Sequence, residues 1–161
     1  MSAGLNRYVP VSTCGQMGSA PYLFRSGFNG GIAFCEDVRP DGYPRAELAR
    51  GIVEGKRIRP YWFGNFYPLS PVTLKATDWC VTQYHRPAEQ DEIVMGFRRD
   101  QAPSDFPVAL WEINPDADYS VTWSYGYEVS ESRTLRGSEL KKLRLHIEAF
   151  PGSVLVEYKR K

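Results

Sequence analysis

The sequence predicts a β-rich α+β fold, in which the end of an α/β unit is followed by an antiparallel β-sandwich. After residue 78, apolar and polar residues alternate in short runs separated by turn signals, a pattern typical of antiparallel strands. Before residue 60, one continuous apolar run precedes one amphipathic stretch, which is typical of a parallel strand and its helix. A stiff stretch rich in aromatic residues and proline joins the two regions.

The composition argues against several classes of protein. The 161 residues carry a net charge of +1, with Lys and Arg spread along the chain, which argues against a nucleic-acid partner. No apolar run reaches membrane-spanning length, so no membrane partner is predicted. Cys14, Cys35 and Cys80 are an odd number without CxxC spacing, so we predict reduced thiols in a cytoplasmic protein.

The first region contains one predicted strand and one predicted helix. Residues 32–35 form a short apolar run bounded by glycines and acidic residues, which predicts a strand buried on both faces. Residues 44–59 predict a helix with Leu48 and Ile52 on its apolar side, and Pro60 ends it. One strand and one helix cannot form an α/β domain. This region therefore reads as the last strand and helix of a larger unit whose beginning is not in this chain.

The second region contains six predicted strands and a short seventh. Their bounds are 79–86, 92–99, 106–113, 119–125, 143–149 and 153–159, with the short one at 133–136. Because these runs carry complete alternating faces, we expect residues 70–161 to form a β-sandwich that buries its own core. The apolar side chains of residues 1–69 that the missing unit would cover should then be partly exposed, namely Ile32, Phe34, Leu48, Ile52, Trp62 and Phe63.

The joining stretch at residues 57–71 contains five aromatic residues and three prolines. Proline cannot continue a helix or serve in a central strand, so we expect a connection. Since it is apolar and stiff, it should pack between two bodies, in contrast to a flexible linker. A buried loop within one domain is the alternative.

Few residues offer chemistry. Glu36 and Asp37 follow the predicted strand, and paired carboxylates carry out glycoside hydrolysis. However, adjacent strand residues point to opposite faces, so a solvated strand end is favoured for this pair. Arg25 is either a structural arginine or a weak substrate-binding candidate. His85 and His146 have no partner at metal-ligand spacing, so no metal site is predicted.

The remaining candidates favour structural roles. Cys35 lies inside the apolar run, which favours an inert buried thiol over a nucleophile. Trp79, Trp111 and Trp123 could stack on a sugar, but three tryptophans in a sandwich favour core positions. No glycine spacing matches a phosphate-binding loop, and no cofactor is predicted.

Several longer stretches form a set that spans nearly the whole chain. They are GLNRYVP at 4–10, PYLFRS at 21–26, KRIRPYWFGNFYPLSP at 56–71, DWCVTQYHRPAEQDEIVMGFRR at 78–99, INPDADYSV at 113–121 and PGSVLVEY at 151–158. Together they resemble the C-terminal portion of the α-galactosidase-like glycoside hydrolases, the melibiase family (glycoside hydrolase family 36). Asn65 stands where the family usually has aspartate.

The resemblance implies a retaining hydrolase of terminal α-galactosyl or related residues, with two catalytic aspartates on a TIM barrel. Neither catalytic motif is present, so no catalytic residue is assigned and this chain alone is expected to be inactive. Residues 1–69 would be the C-terminal remnant of the (β/α)8 barrel, and residues 70–161 a sandwich that braces it. Arg25 would support or line the floor of the site.

Two other functions stay open. The chain could be a stand-alone carbohydrate-binding module, or a subunit completed by a partner chain that carries the catalytic aspartates. The expected partners are carbohydrate through the parent enzyme, the rest of the catalytic barrel and a possible second copy of the chain.

Overall fold

The structure is a computed structural model that describes residues 15–16, 18–28 and 33–161. In the first part of the chain the elements are β1 (Gly15–Gln16), α1 (Pro21–Ser26), β2 (Ala33–Phe34), α2 (Arg45–Ile58), a 3-10 helix (Arg59–Phe63) and β3 (Asn65–Pro68). Next come β4 (Cys80–Arg86), β5 (Asp91–Arg98), β6 (Asp105–Pro107), β7 (Asp118–Ser124), β8 (Glu131–Arg136), α3 (Gly137–Leu140), β9 (Arg144–His146) and β10 (Gly152–Arg160).

A six-stranded antiparallel sheet, in the order β3-β4-β5-β10-β7-β8, forms the centre of the fold. Its strands β4, β5, β7, β8 and β10 confirm the predicted strands, and α2 confirms the predicted helix, within one or two residues at most ends. The three-residue strands β6 and β9 pair with each other in a separate ribbon, so the strands predicted at 106–113 and 143–149 are present only in part. The architecture is thus mostly antiparallel sheet with few helices, as the sequence predicts.

Both faces of the central sheet are buried. On one side, here called the ribbon face, Val81, Val94, Val121 and Val156 pack beneath residues of the β6–β9 ribbon and α3. The side chains between them point the other way, as the period of two requires. These alternate side chains form the helical face, which packs against the first part of the chain.

The helical face is covered by α1, α2 and the 3-10 helix. Phe24, Ile58 and Trp62 from these elements share one core cluster with sheet residues such as Ile93 and Leu155. All five side chains are almost fully buried. Burial of several large apolar side chains at one interface contributes many kcal/mol in transfer free energy, about 1.5–3 kcal/mol for each.

This cover corrects the expectation that residues 70–161 bury their own core. Apolar side chains point to both sides of the sheet, so the helical face has to be covered by the helices just as the ribbon face is covered by the ribbon. Leu48 and Trp62, which we expected to be partly exposed, are buried for the same reason. Phe34 and Ile52 are half-buried and Phe63 is exposed, which agrees with that expectation, while Ile32 lies outside the described residues.

The joining stretch is also corrected. Its residues 59–63 form the 3-10 helix, and residues 65–68 form an edge strand that pairs with β4. An edge strand tolerates proline, and Pro68 ends this one, so the ladder loses little there. The stretch is therefore part of the sheet and of its helical cover.

The predicted strand at 32–35 is present only as the two residues of β2. It pairs in parallel with β1, Gly15 beside Ala33, which agrees with the predicted parallel geometry. Both residues of β2 are half-buried, so the expectation of burial on both faces is wrong: the pair has no further strand beside it among the described residues. The barrel remnant and the division between residues 69 and 70 stay predictions.

Candidate functional site

Arg25, the candidate substrate-binding residue, lies in the interior between α1, α2 and the sheet. Its Nε and Nη2 atoms donate to the two carboxylate oxygens of Glu54 on α2, at 2.8 and 2.6 Å. Its Nη1 donates to the carbonyl of Ser124 at 3.0 Å and the hydroxyl of Ser153 at 3.3 Å, and Nη2 also donates to the carbonyl of Gly126. The side chain is 1% exposed.

All three nitrogens of the Arg25 guanidinium therefore have protein acceptors. A planar fork of five donors suits this bidentate carboxylate pair with additional carbonyls. A substrate oxygen would have to displace one of these acceptors, so the geometry supports the structural role that the sequence analysis weighed beside substrate binding. The ion pair fastens the two helices to the sheet.

The carboxylates of Glu36 and Asp37 are each engaged locally. Oε2 of Glu36 accepts hydrogen bonds from the backbone N–H of Gly18 and the hydroxyl of Tyr43, both at 2.8 Å. Asp37 pairs with exposed Arg39, whose hydrogen bonds hold the pKa of the Asp37 carboxyl below its usual value. The two side chains serve separate loop contacts, in agreement with the solvated strand end favoured from the sequence.

The other sequence candidates also lie apart. His146 is exposed and 3.2 Å from Asp105 on the ribbon, whereas His85 is buried in the central sheet. Cys35 is exposed, so the expectation of a buried thiol is wrong; β2 is too short to enclose it. Within the described residues, no group of His, Cys, Asp and Glu side chains could hold a metal ion. In the same part of the chain, no helix has the length and apolar character needed to cross a membrane.

A polar pair that the sequence analysis did not assign lies on the ribbon face. His85 on β4 and Glu92 on β5 are register partners, and Nδ1 of His85 lies 2.6 Å from Oε1 of Glu92. Burial, together with the smaller effects of the nearby carboxylates of Asp91 and Glu112, raises the pKa of the Glu92 carboxyl to about 8. Glu92 is 2% exposed.

An aromatic stack stands near this pair. The rings of Tyr67 on β3 and Trp111 are stacked, with centroids 5.5 Å apart and planes at 10°. Gln83 holds the Trp111 backbone on both sides, because its amide donates to the carbonyl at 2.9 Å and accepts from the N–H at 3.0 Å. The Tyr67 hydroxyl donates to Glu112 at 2.9 Å.

Trp111 is 57% exposed, which corrects the expectation that all three tryptophans are core. Trp79 and Trp123 are buried as expected. Trp111 differs because it lies between β6 and β7, where an irregular segment passes over the sheet edge. The sequence did contain a signal for this polar cluster. Gln83 and Glu92 are polar residues at strand positions that face the same side of the sheet as Val81 and Val94.

No family model matches the chain, and no curated protein matches it. Solved structures do match. The α-galactosidase AgaA of Geobacillus stearothermophilus, a family 36 enzyme crystallised as a variant with raffinose, superposes with a TM-score of 0.65 at 16% identity. The α-galactosidase of Lactobacillus brevis gives 0.65 at 12% identity.

The chain has the fold of one part of the family 36 α-galactosidases. Each of these two matches covers 86% of the chain and 19% of the larger enzyme, so the chain spans about a fifth of the length of the structures it matches. The galactosidase domain of the α-galactosidase–sucrose kinase AgaSK matches over 81% of the chain and 18% of its own, with a TM-score of 0.63. The resemblance to this family is confirmed as a likeness of fold.

Proposed function

We propose that the chain is the C-terminal, non-catalytic part of a retaining glycoside hydrolase that acts on terminal α-galactosyl or related residues. The sheet and its helices brace the catalytic barrel, and the catalytic aspartates lie outside this chain. The observation that carries the proposal is the likeness of fold over 86% of the chain to enzymes of which it spans 19%. The barrel would be the main partner, and carbohydrate would be met through the parent enzyme.

The outer surface of the helical layer supports a bracing role. Leu23 on α1, Val53 on α2 and Phe63 on the 3-10 helix are all exposed, Phe63 to 68%. Large apolar side chains that are exposed on all three elements of one layer favour a contact with another folded body. The barrel is the body that this proposal assigns to them.

The first test is an activity assay on the chain alone. An aryl α-galactoside should show no turnover, because retaining hydrolysis needs two positioned carboxylates and Glu36 and Asp37 serve separate loop contacts. Turnover that Glu36→Gln or Asp37→Asn abolishes, and that the control Asp116→Asn leaves intact, would contradict the proposal.

The second test is the reading frame upstream of Met1 in the genomic DNA. A continuous frame that encodes a barrel with two catalytic aspartates would support the proposal. A stop codon immediately upstream, together with a barrel encoded in a separate frame, would favour the subunit completed by a partner chain.

A carbohydrate-binding module is the second candidate function. The exposed ring of Trp111, stacked on Tyr67 beside a polar cavity, favours it, because sugar sites combine an aromatic surface with hydrogen-bonding groups. A glycan array of the purified chain separates the two functions, since a purely bracing unit would bind no glycan.

A further inference from the structure

The ribbon of β6 and β9 ends in a free strand edge. Among the described residues, β9 pairs with β6 alone. The carbonyl of Leu143 and the N–H of Ile147, one at each end of β9, bond to the backbone on either side of β6, at 3.0 and 2.9 Å between N and O. Backbone bonds of an antiparallel pair alternate along the strand, so the N–H and C=O groups of Arg144 and His146 point away from β6. Such an edge can pair with a strand of another chain.

The side chains along this edge form a charge pattern. Arg144, His146 and Glu148 are exposed and share the outer face of the ribbon, whereas Leu145 and Ile147 between them are buried. The outer face therefore carries a cation at one end, an imidazole in the middle and a carboxylate at the other end. The Glu148 side chain is 90% exposed.

Arg144 forms no ion pair or hydrogen bond with any described residue, although its charge acts on Asp105 nearby. Glu148 lies 3.4 Å from Nε2 of His146, the contact of two exposed side chains. Exposed pairs of this kind stabilise a protein little. Both charged ends of the pattern are thus free to meet charges from outside the chain.

Two copies of this edge complement each other when they run antiparallel. A two-fold axis at His146 places Arg144 of each copy opposite Glu148 of the other copy. Directly opposed side chains on antiparallel strands have Cβ atoms about 4.5–5.5 Å apart, and opposite charges there are stabilising. Because every contact across a two-fold axis occurs twice, this sequence supplies two ion pairs to one interface.

The surface beside the edge is recessed and mostly apolar. A cavity of about 590 Å³ lies between residues 146–148 and the start of α1, and Pro21, Tyr22 and Tyr125 are among the residues that line it. Phe150, which follows in the chain, is 63% exposed. The recess leaves room for a neighbouring chain, and exposed apolar groups beside a free edge favour a contact that covers both.

The edge strand β8 of the central sheet lacks this complementarity. The N–H of Arg136 on β8 donates to the Glu139 carboxylate at 2.8 Å, so part of that edge is already used. A two-fold axis at Arg133, in the middle of β8, would place this arginine opposite its own copy, and like charges directly opposite each other are destabilising.

We propose that the free edge of β9 pairs antiparallel with the same edge of a second copy of this chain. The two ribbons then form one four-stranded sheet in the order β6-β9-β9-β6, with His146 at the two-fold axis and Arg144 paired with Glu148 of the other copy on both sides. This contact lies on the ribbon side, away from the exposed apolar residues of the helical layer, and it does not depend on the hydrolase membership proposed above.

The test is the oligomeric state of the full chain. Sedimentation velocity and light scattering, from about 1 µM to about 1 mM protein, should show a monomer in equilibrium with a closed dimer and no larger species. An interface built on one short strand pair belongs to the small, transient class, so a dimer Kd of about 100 µM is expected.

Charge reversal locates the interface. Arg144→Glu and Glu148→Arg should each raise the dimer Kd at least about tenfold, because like charges then face each other at two positions. An equimolar mixture of the two variants should dimerise again, since each contact in the mixed pair joins an acid and a base. The double variant Arg144→Glu with Glu148→Arg should also recover the dimer. A merely structural role of either residue would not produce this rescue.

Arg133→Glu is the control, because it reverses an exposed arginine on β8 and should leave the dimer Kd unchanged. All substituted side chains are exposed, and urea unfolding of each variant verifies that the fold is kept. A chain that stays monomeric over the whole concentration range overturns the proposal. A dimer that persists in both single reversals overturns it as well. Loss of the dimer in Val53→Asn, with no loss in Arg144→Glu, would assign the association to the helical layer and would also overturn it.

Discussion

Each face of the central sheet has a buried acid paired with a base, Glu54 with Arg25 and Glu92 with His85, and these two pairs differ in how completely they are satisfied. On the helical face, Arg25 donates to both carboxylate oxygens of Glu54 and to four further acceptors. On the ribbon face, the pair of His85 and Glu92 leaves one carboxyl oxygen without a partner among the described residues. The first arrangement fastens the helices to the sheet, whereas the second leaves a buried carboxyl group with a raised pKa.

The difference follows from what covers each face. The helices are long enough to bring a whole guanidinium group and its acceptors into the interior, so water is excluded and every donor is used. The ribbon has strands of only three residues, and its cover ends before it reaches His85. A short cover leaves a cavity with polar walls at the edge of the sheet.

The largest expected effect comes from removing the helical cover. A chain of residues 70–161 should show no cooperative urea unfolding and should associate in sizing chromatography, because Ile93 and Leu155 lose their packing partners and β4 loses its edge strand. A chain of residues 18–161 keeps the cover and serves as the control. A monomeric, cooperatively unfolding 70–161 chain would restore our first expectation of a self-sufficient sandwich.

Breaking the pair of Arg25 and Glu54 should have the second largest effect on the free energy of unfolding. Arg25→Met leaves the Glu54 carboxylate buried without its partner, and the free energy of unfolding from urea titration should fall by about 3–5 kcal/mol. Arg39→Met, which breaks an exposed pair with Asp37, should cost less than about 1 kcal/mol. The double variant Arg25→Met with Glu54→Leu should recover most of the loss. Equal effects of the two single variants would refute the structural role of Arg25.

The pair of His85 and Glu92 should make the stability of the protein depend on pH. The pKa of Glu92 is about 8 in the folded protein against an ordinary value of 4.5, so the folded state binds the proton more tightly than the unfolded state. Stability should therefore fall as pH rises from about 4.5 to 8, and the penalty should be complete above that range. Glu92→Gln should remove this slope and raise stability at pH 8 by about 1–3 kcal/mol.

Urea titrations of both proteins at several pH values measure the slope, and His85, Asp91, Glu112 and Arg160 are unchanged in the comparison. A difference between the two proteins that stays constant from pH 4.5 to 8 would contradict the raised pKa.

The smallest expected effect concerns Trp111. Because this ring is exposed, Trp111→Ala should lower the free energy of unfolding by about 1 kcal/mol or less, the worth of its stack on Tyr67. Trp79→Ala is the matched comparison. Because Trp79 is buried in the ribbon-face core, this substitution should lower the free energy of unfolding by about 3–5 kcal/mol. Similar thermal shifts in both variants would show that Trp111 supports the fold as well.

The sequence by itself determined most strands, the long helix and the likeness to a known fold. These features depend on local information: a period of two places β5 and β10, and Pro60 ends the amphipathic stretch of α2. Motifs along the chain were enough to identify the related fold, which solved structures at 12–16% identity then confirmed.

Only the tertiary structure decided which elements cover each face of the central sheet. Alternation shows that Ile93 and Val94 point to opposite sides, but it cannot show that both sides are covered, because the covering residues are far away along the chain. The roles of Arg25 and Trp111 were decided in the same way. The acceptors of Arg25 lie 29 to 128 residues away along the chain, and the Trp111 backbone is held by Gln83 on β4. Burial and partnership of a side chain are non-local, so local sequence patterns cannot specify them.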